Sequence, residues 1–178
     1  MPSFSFRWAR VMAALALCAS CGATHAQGVY QASGAWLDDQ GRPFRWEVLR
    51  GGFTVVNMAY GACRRVCSTS LRRMEELQRL ADARRVALSF VVVGIDPSLD
   101  RPIDWAAYRV DRKLNRSNWQ FLTGDAMATR RLAARLGVRY WHYGDHVMHD
   151  FRIALLAPDG RLVATLNAPD DDLGLLIP

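Results

Sequence analysis

Apolar residues along this chain fall into short unbroken runs and into stripes of helical spacing, and the two kinds alternate. Residues 53–58 (Phe-Thr-Val-Val-Asn-Met) make a β-branched run without a solvent face, the pattern of a strand buried on both sides of a sheet. From residue 68 to 85, Leu71, Met74, Leu77 and Leu80 recur at helical spacing between arginines and glutamates, so an amphipathic helix is predicted there. A second buried strand follows over 86–95 and stops at Asp96-Pro97. Residues 104–114 read as a helix with Asp104 as its N-cap and Trp105, Ala107 and Tyr108 on one side. A short strand over 119–122 and a helix over 125–136, ended by Gly137, come next.

Two turns frame this alternation. Asp38-Asp39-Gln40-Gly41 is a turn signal between residues 36–37 and a strand-like stretch at 44–49, which predicts an N-terminal β-hairpin. Pro158-Asp159-Gly160 separates runs at 153–157 and 162–166, which predicts a terminal hairpin. Strand, helix, strand, helix and a closing hairpin make a three-layer α/β fold with a mixed sheet. At 178 residues the chain suits one such domain, and no repeat or linker interrupts it.

The first segment stands apart from that domain. Residues 1–10 carry only the basic charges Arg7 and Arg10, residues 11–20 are an apolar run, and Thr24-His25-Ala26 ends in a small residue suited to signal-peptidase cleavage. Residues 1–26 therefore read as an export signal, and the mature domain as 27–178. The apolar run is much shorter than the ~20 residues a membrane-spanning helix needs. Cys18 and Cys21 lie where a lipid-anchored cysteine would lie, so a lipoprotein is the rival reading.

Removing the segment changes the charge only slightly, from +6 to +4 once Arg7 and Arg10 are gone. A mildly basic surface without interleaved aromatic and basic residues argues against a nucleic-acid partner. It also leaves Cys63 and Cys67 as the sole thiols. In an oxidising compartment, one close pair is a redox pair, a metal site or a local brace, not a disulfide scaffold.

Cys63-Arg64-Arg65-Val66-Cys67 sits where a buried strand passes into a helix, the functional end of an α/β sheet. Near the start of a helix, the dipole and Arg64 and Arg65 favour thiolate, the form that reacts and ligates. Two thiolates cannot complete an all-thiolate zinc site, whereas copper(I) prefers soft sulfur and accepts low coordination. One imidazole would complete a three-ligand site, and His142, His146 and His149 are the candidates. His149 lies just before the predicted strand at 153, where a sheet edge would hold it rigidly. The three histidines could instead form a second site of their own. Met58 and Met148 are possible thioether ligands, with Met58 also readable as strand core.

Residues 58–67 (MAYGACRRVC), 94–102 (GIDPSLDRP) and 119–124 (WQFLTG) resemble successive blocks of the Sco/SenC family. The resemblance covers about residues 36–166. It implies a thioredoxin-like domain that binds a copper ion through Cys63, Cys67 and His149. It also implies a copper-acceptor protein as partner, such as the copper subunit of a respiratory oxidase, and a periplasmic, monomeric protein touching the membrane only through that partner or a lipid anchor. A thiol-disulfide oxidoreductase that reduces a partner's copper-ligand cysteines, with Cys63 and Cys67 as its catalytic redox pair, is the alternative. A thiol peroxidase and a copper sensor are more distant ones. Three positions depart from the family pattern: Ser68 replaces a proline, Arg101 a threonine, and Met148 the aspartate before the histidine. Asp96 and Asp100 read either as turn chemistry or as partner-docking residues.

Overall fold

In the computed structural model, residues 28–31, 34–61 and 66–178 are described, with 66–68 placed by backbone alone. The expected export segment 1–26, with Cys18 and Cys21, lies outside the described residues, as do Cys63 and its neighbours 62, 64 and 65.

The two apolar runs form the parallel centre of a six-stranded mixed sheet. β2 (Phe53–Ala59) lies beside β3 (Leu88–Gly94), with Val55 opposite Phe90, and β3 lies parallel to β4 (Trp119–Gly124). β7 (Ile153–Leu156) runs antiparallel along the other side of β2, and β8 (Leu162–Leu166) completes the terminal hairpin. β1 (Trp36–Asp38) pairs antiparallel with β4, giving the order β1-β4-β3-β2-β7-β8. Residues 90–93 of β3 are fully buried, as a strand covered on both faces requires.

Helices cover both faces. The chain steps from β2 to β3 to β4 in one direction, so right-handed crossovers put α1 (Val66–Ala83) and α2 (Pro102–Asp111) on the same face. Arg112, just past α2, pairs with Glu75 of α1 at 2.6 Å across that face. Thr54 points to the opposite face from Asn57, and there its hydroxyl meets Tyr30 at 2.8 Å. Tyr30 belongs to a 3-10 turn packed against α3 (Ala126–Leu136), which therefore forms the third layer. Asp125 caps α3 through the Ala128 N–H, and Gly137 ends it in the left-handed conformation, as the sequence predicts.

Three expectations need correction. The N-terminal turn forms, with Phe44 N–H donating to the Trp36 carbonyl, but residues 46–49 are a 3-10 helix and not a strand. Pro43 cannot donate to a ladder, and burying Trp46 edge-on against Trp36, 5.6 Å between rings, turns the chain inward. Helix α2 starts at Pro102, so Asp104 is the third helical residue and not the N-cap, its carboxylate accepting the Arg101 N–H at 3.1 Å; Trp105 is buried but Ala107 faces solvent. Finally, residues 140–149 form a separate two-stranded hairpin, β5 (Tyr140–Tyr143) and β6 (His146–His149), that the local pattern does not announce.

Candidate metal centre

The parallel strands end on one edge of the sheet, and the cysteine motif leaves from it. β2 ends at Ala59, Tyr60 and Gly61 follow, and α1 begins at Val66, which puts the backbone of Cys67 in the first helical turn. That turn contains no acidic residue to offset the positive end of the helix dipole.

The chain just after His149 reaches the same edge by tertiary pairing. Asn57 lies opposite Ile153 in the β2–β7 ladder, and its Nδ2–H donates to the Arg152 carbonyl at 2.8 Å. The start of β7, a few residues after His149, is thus tied to the end of β2 a few residues before Cys63. Two segments far apart in sequence meet there.

His149 is half-buried, and its Nδ1–H donates to the Asp150 carbonyl at 2.9 Å. A carbonyl only accepts, so this contact selects the tautomer with the lone pair on Nε2, the form a metal ligand needs. Burial pushes the imidazole below its usual pKa, with the Asp150 carbonyl and carboxylate opposing, which favours the neutral ring. The Asp150 carboxylate accepts from the Arg139 backbone N–H at 3.1 Å and from its guanidinium at 3.0 Å, closing the base of the hairpin.

The hairpin register sorts the three histidines. Tyr140 opposes His149 and His142 opposes Val147, whereas Trp141 opposes Met148 and Tyr143 opposes His146. Val147 is buried, so the face bearing His142 and His149 turns toward the domain. Tyr140 and His142 accordingly line a cleft with Asp96, Pro97, Ser98 and Arg130. His146 lies on the other face, and among the described residues no group of three or more His, Cys, Asp or Glu is arranged to hold a metal. The three histidines therefore do not form a joint site. Met148 points away from His149, and Met58, 1% exposed, is strand core.

Asp100 is a residue whose part sequence reasoning left open, and it is 1% exposed, which removes it from any docking surface. Its Oδ1 accepts the Gly61 N–H at 2.7 Å and its Oδ2 the Asp96 N–H at 2.9 Å. Burial pushes this carboxyl up to about 6 against the pull of those N–H bonds. The Asp-Pro loop after β3 is thereby fastened to the loop that delivers Cys63. Asn57 was missed altogether; the signal was present as an amide inside an otherwise apolar strand, since a buried amide needs partners.

Among the described residues no helix is long and apolar enough to cross a membrane. The SCO1/SenC family model matches residues 24–174. A Stutzerimonas stutzeri protein assigned to copper binding is 30% identical over 139 residues, spanning 75% of this chain and 67% of its own. Arabidopsis thaliana ScoI with copper bound shares the fold with a TM-score of 0.70 at 20% identity, over 80% of this chain and 90% of its own. BsSco, a member of the Sco family of cytochrome c oxidase assembly proteins in which a disulfide switch was identified, gives 0.68 at 21% identity, over 80% and 86%. These likenesses establish the thioredoxin-like α/β fold. With most of its length matched by the family model, the chain belongs to the SCO1/SenC family.

Proposed function

We propose that this protein is an exported copper metallochaperone that carries the ion on Cys63, Cys67 and His149 and delivers it to the dinuclear copper site of a respiratory oxidase. The observation that carries this reading is the ring of His149: it is half-buried, its Nδ1–H donates to the Asp150 carbonyl, and Asn57 ties the strand just after it to the end of the strand that leads to the cysteine motif. Copper is the cargo. Two thiolates and one neutral imidazole suit copper(I), which accepts three ligands. The copper-bound relative and the oxidase-assembly relative support the cargo and its destination. Residues 1–26 act in this reading as the export signal for a domain of residues 27–178 in the periplasm, with lipidation at Cys18 or Cys21 as the alternative anchor.

Reduced protein titrated with copper(I) against a strong competing chelator should hold one ion per chain. Cys63→Ser or Cys67→Ser should lose it, and unchanged retention in either variant overturns the proposal.

The second reading, a thiol-disulfide oxidoreductase, is favoured by the placement of Cys67 in a helical first turn with no acidic residue. It uses both thiols but not the imidazole. His149→Ala separates the two: loss of copper retention together with loss of oxidase maturation supports the chaperone, while maturation that survives the loss supports the reductase.

A further inference from the structure

The strand that carries His149 presents different chemistry on its other side. Side chains alternate along β6, so His146 and Met148 share the face opposite Val147 and His149. Across the ladder, Trp141 lies opposite Met148 and Tyr143 opposite His146. All four side chains are solvent-exposed, Trp141 at 50% and Met148 at 44%. An imidazole, a thioether and an indole are thus gathered on one small surface, and neither the fold nor the three-ligand centre uses them.

We propose that His146, Met148 and the ring of Trp141 form a second, surface site for copper(I) on the outer face of the β5–β6 hairpin. Residues two apart on a strand have Cα atoms about 7 Å apart, so their side chains can close on a single ion. Thioether sulfur is a soft ligand that selects copper(I) over zinc or copper(II), and imidazole accepts the same ion. Directly paired residues have Cβ atoms about 5 Å apart, which brings the indole alongside the thioether. A ring face there attracts a bound cation through its quadrupole and shields an ion that has only two ligands. Tyr143 flanks the imidazole in the same way. An exposed site with two ligands exchanges its ion faster than a half-buried one with three, a property suited to a point of entry. The site shares no residue with the Cys63, Cys67 and His149 centre and does not depend on that centre being correct.

The test uses the full mature chain carrying Cys63→Ser and Cys67→Ser, under anaerobic conditions, with copper(I) supplied from a weak competitor such as ferrozine. One equivalent should be retained, with quenching of tryptophan fluorescence that disappears in Trp141→Phe. Adding His146→Phe or Met148→Leu should weaken retention by about tenfold or more. The chain with its cysteines intact offers an independent measurement: a second, weaker equivalent that Met148→Leu removes. The proposal is overturned if the cysteine-free chain retains no copper(I), or if retention is undiminished in the His146→Phe, Met148→Leu double variant.

Discussion

Ser70, one turn beyond Cys67 on α1, donates its hydroxyl to the buried Oδ1 of Asn57 at 3.1 Å. Because the same amide donates to the Arg152 carbonyl, one side chain holds the helix whose first turn contains Cys67 and the segment that follows His149. The two halves of the proposed centre share a single polar bracket inside the sheet.

Asn57→Leu should therefore disturb stability and copper together. It removes the hydrogen bonds to the Ser70 hydroxyl and the Arg152 carbonyl, and losing a buried hydrogen bond of this kind costs about 1–3 kcal/mol. Urea denaturation should show that loss, and copper(I) retention should fall with it. Ser70→Ala should cost less, about 1 kcal/mol, and the two substitutions should combine less than additively because they break one shared bond. Strict additivity would show that the bracket does not act as a unit.

Asp100 should make stability fall with rising pH. Its folded pKa, about 6, lies above the ordinary value of 3.8. A raised carboxyl contributes stability that is fully present below the unfolded value and is lost as pH rises through the folded one, on the order of 3 kcal/mol in all. Asp100→Asn removes the titration. The difference in urea midpoint between the wild-type chain and this variant should shift in the variant's favour between pH 4 and pH 7.5; a difference constant with pH would contradict the burial of the carboxyl.

Gly94→Ala should reach the proposed centre from a distance. A Cβ at Gly94 would lie 2.4 Å from the Cβ of Asp100, closer than any real contact, so Asp100 must move away from Gly61. Overpacking of this kind costs roughly 1–3 kcal/mol. Thermal unfolding should register the loss, and copper(I) should be held less tightly because the loop leading to Cys63 loses its anchor.

Asp125→Ala should separate stability from the site. Its carboxylate accepts from the Ala128 N–H at 2.8 Å and from the Ala35 N–H at 3.2 Å, capping α3 and tethering the chain just before β1. Loss of a cap costs about 1 kcal/mol. The denaturation midpoint should drop by that amount while copper(I) retention stays unchanged; a fall in retention would mean the site responds to global stability alone.

Local pattern alone determined the buried strands β2 and β3, helices α1 and α3, the terminal hairpin and the departure of the cysteine motif from a strand end. Each of these rests on periodicity or on turn chemistry contained within a few residues, and such signals are legible in one dimension. What tertiary structure decided was long-range. The pairing of Asn57 with Ile153 brings the start of β7, a few residues after His149, to the cysteine edge, and the β5–β6 register turns His149 inward and His146 and Met148 outward. Burial made Asp100 an anchor where the sequence allowed either a turn residue or a docking residue. It also turned the second arm of the N-terminal hairpin into a 3-10 helix, because Trp46 gained more from packing on Trp36 than from a ladder that Pro43 could not join. The physical reason is common to all four: partner choice and burial depend on residues distant in the chain, and their energies exceed the preferences that neighbouring residues express.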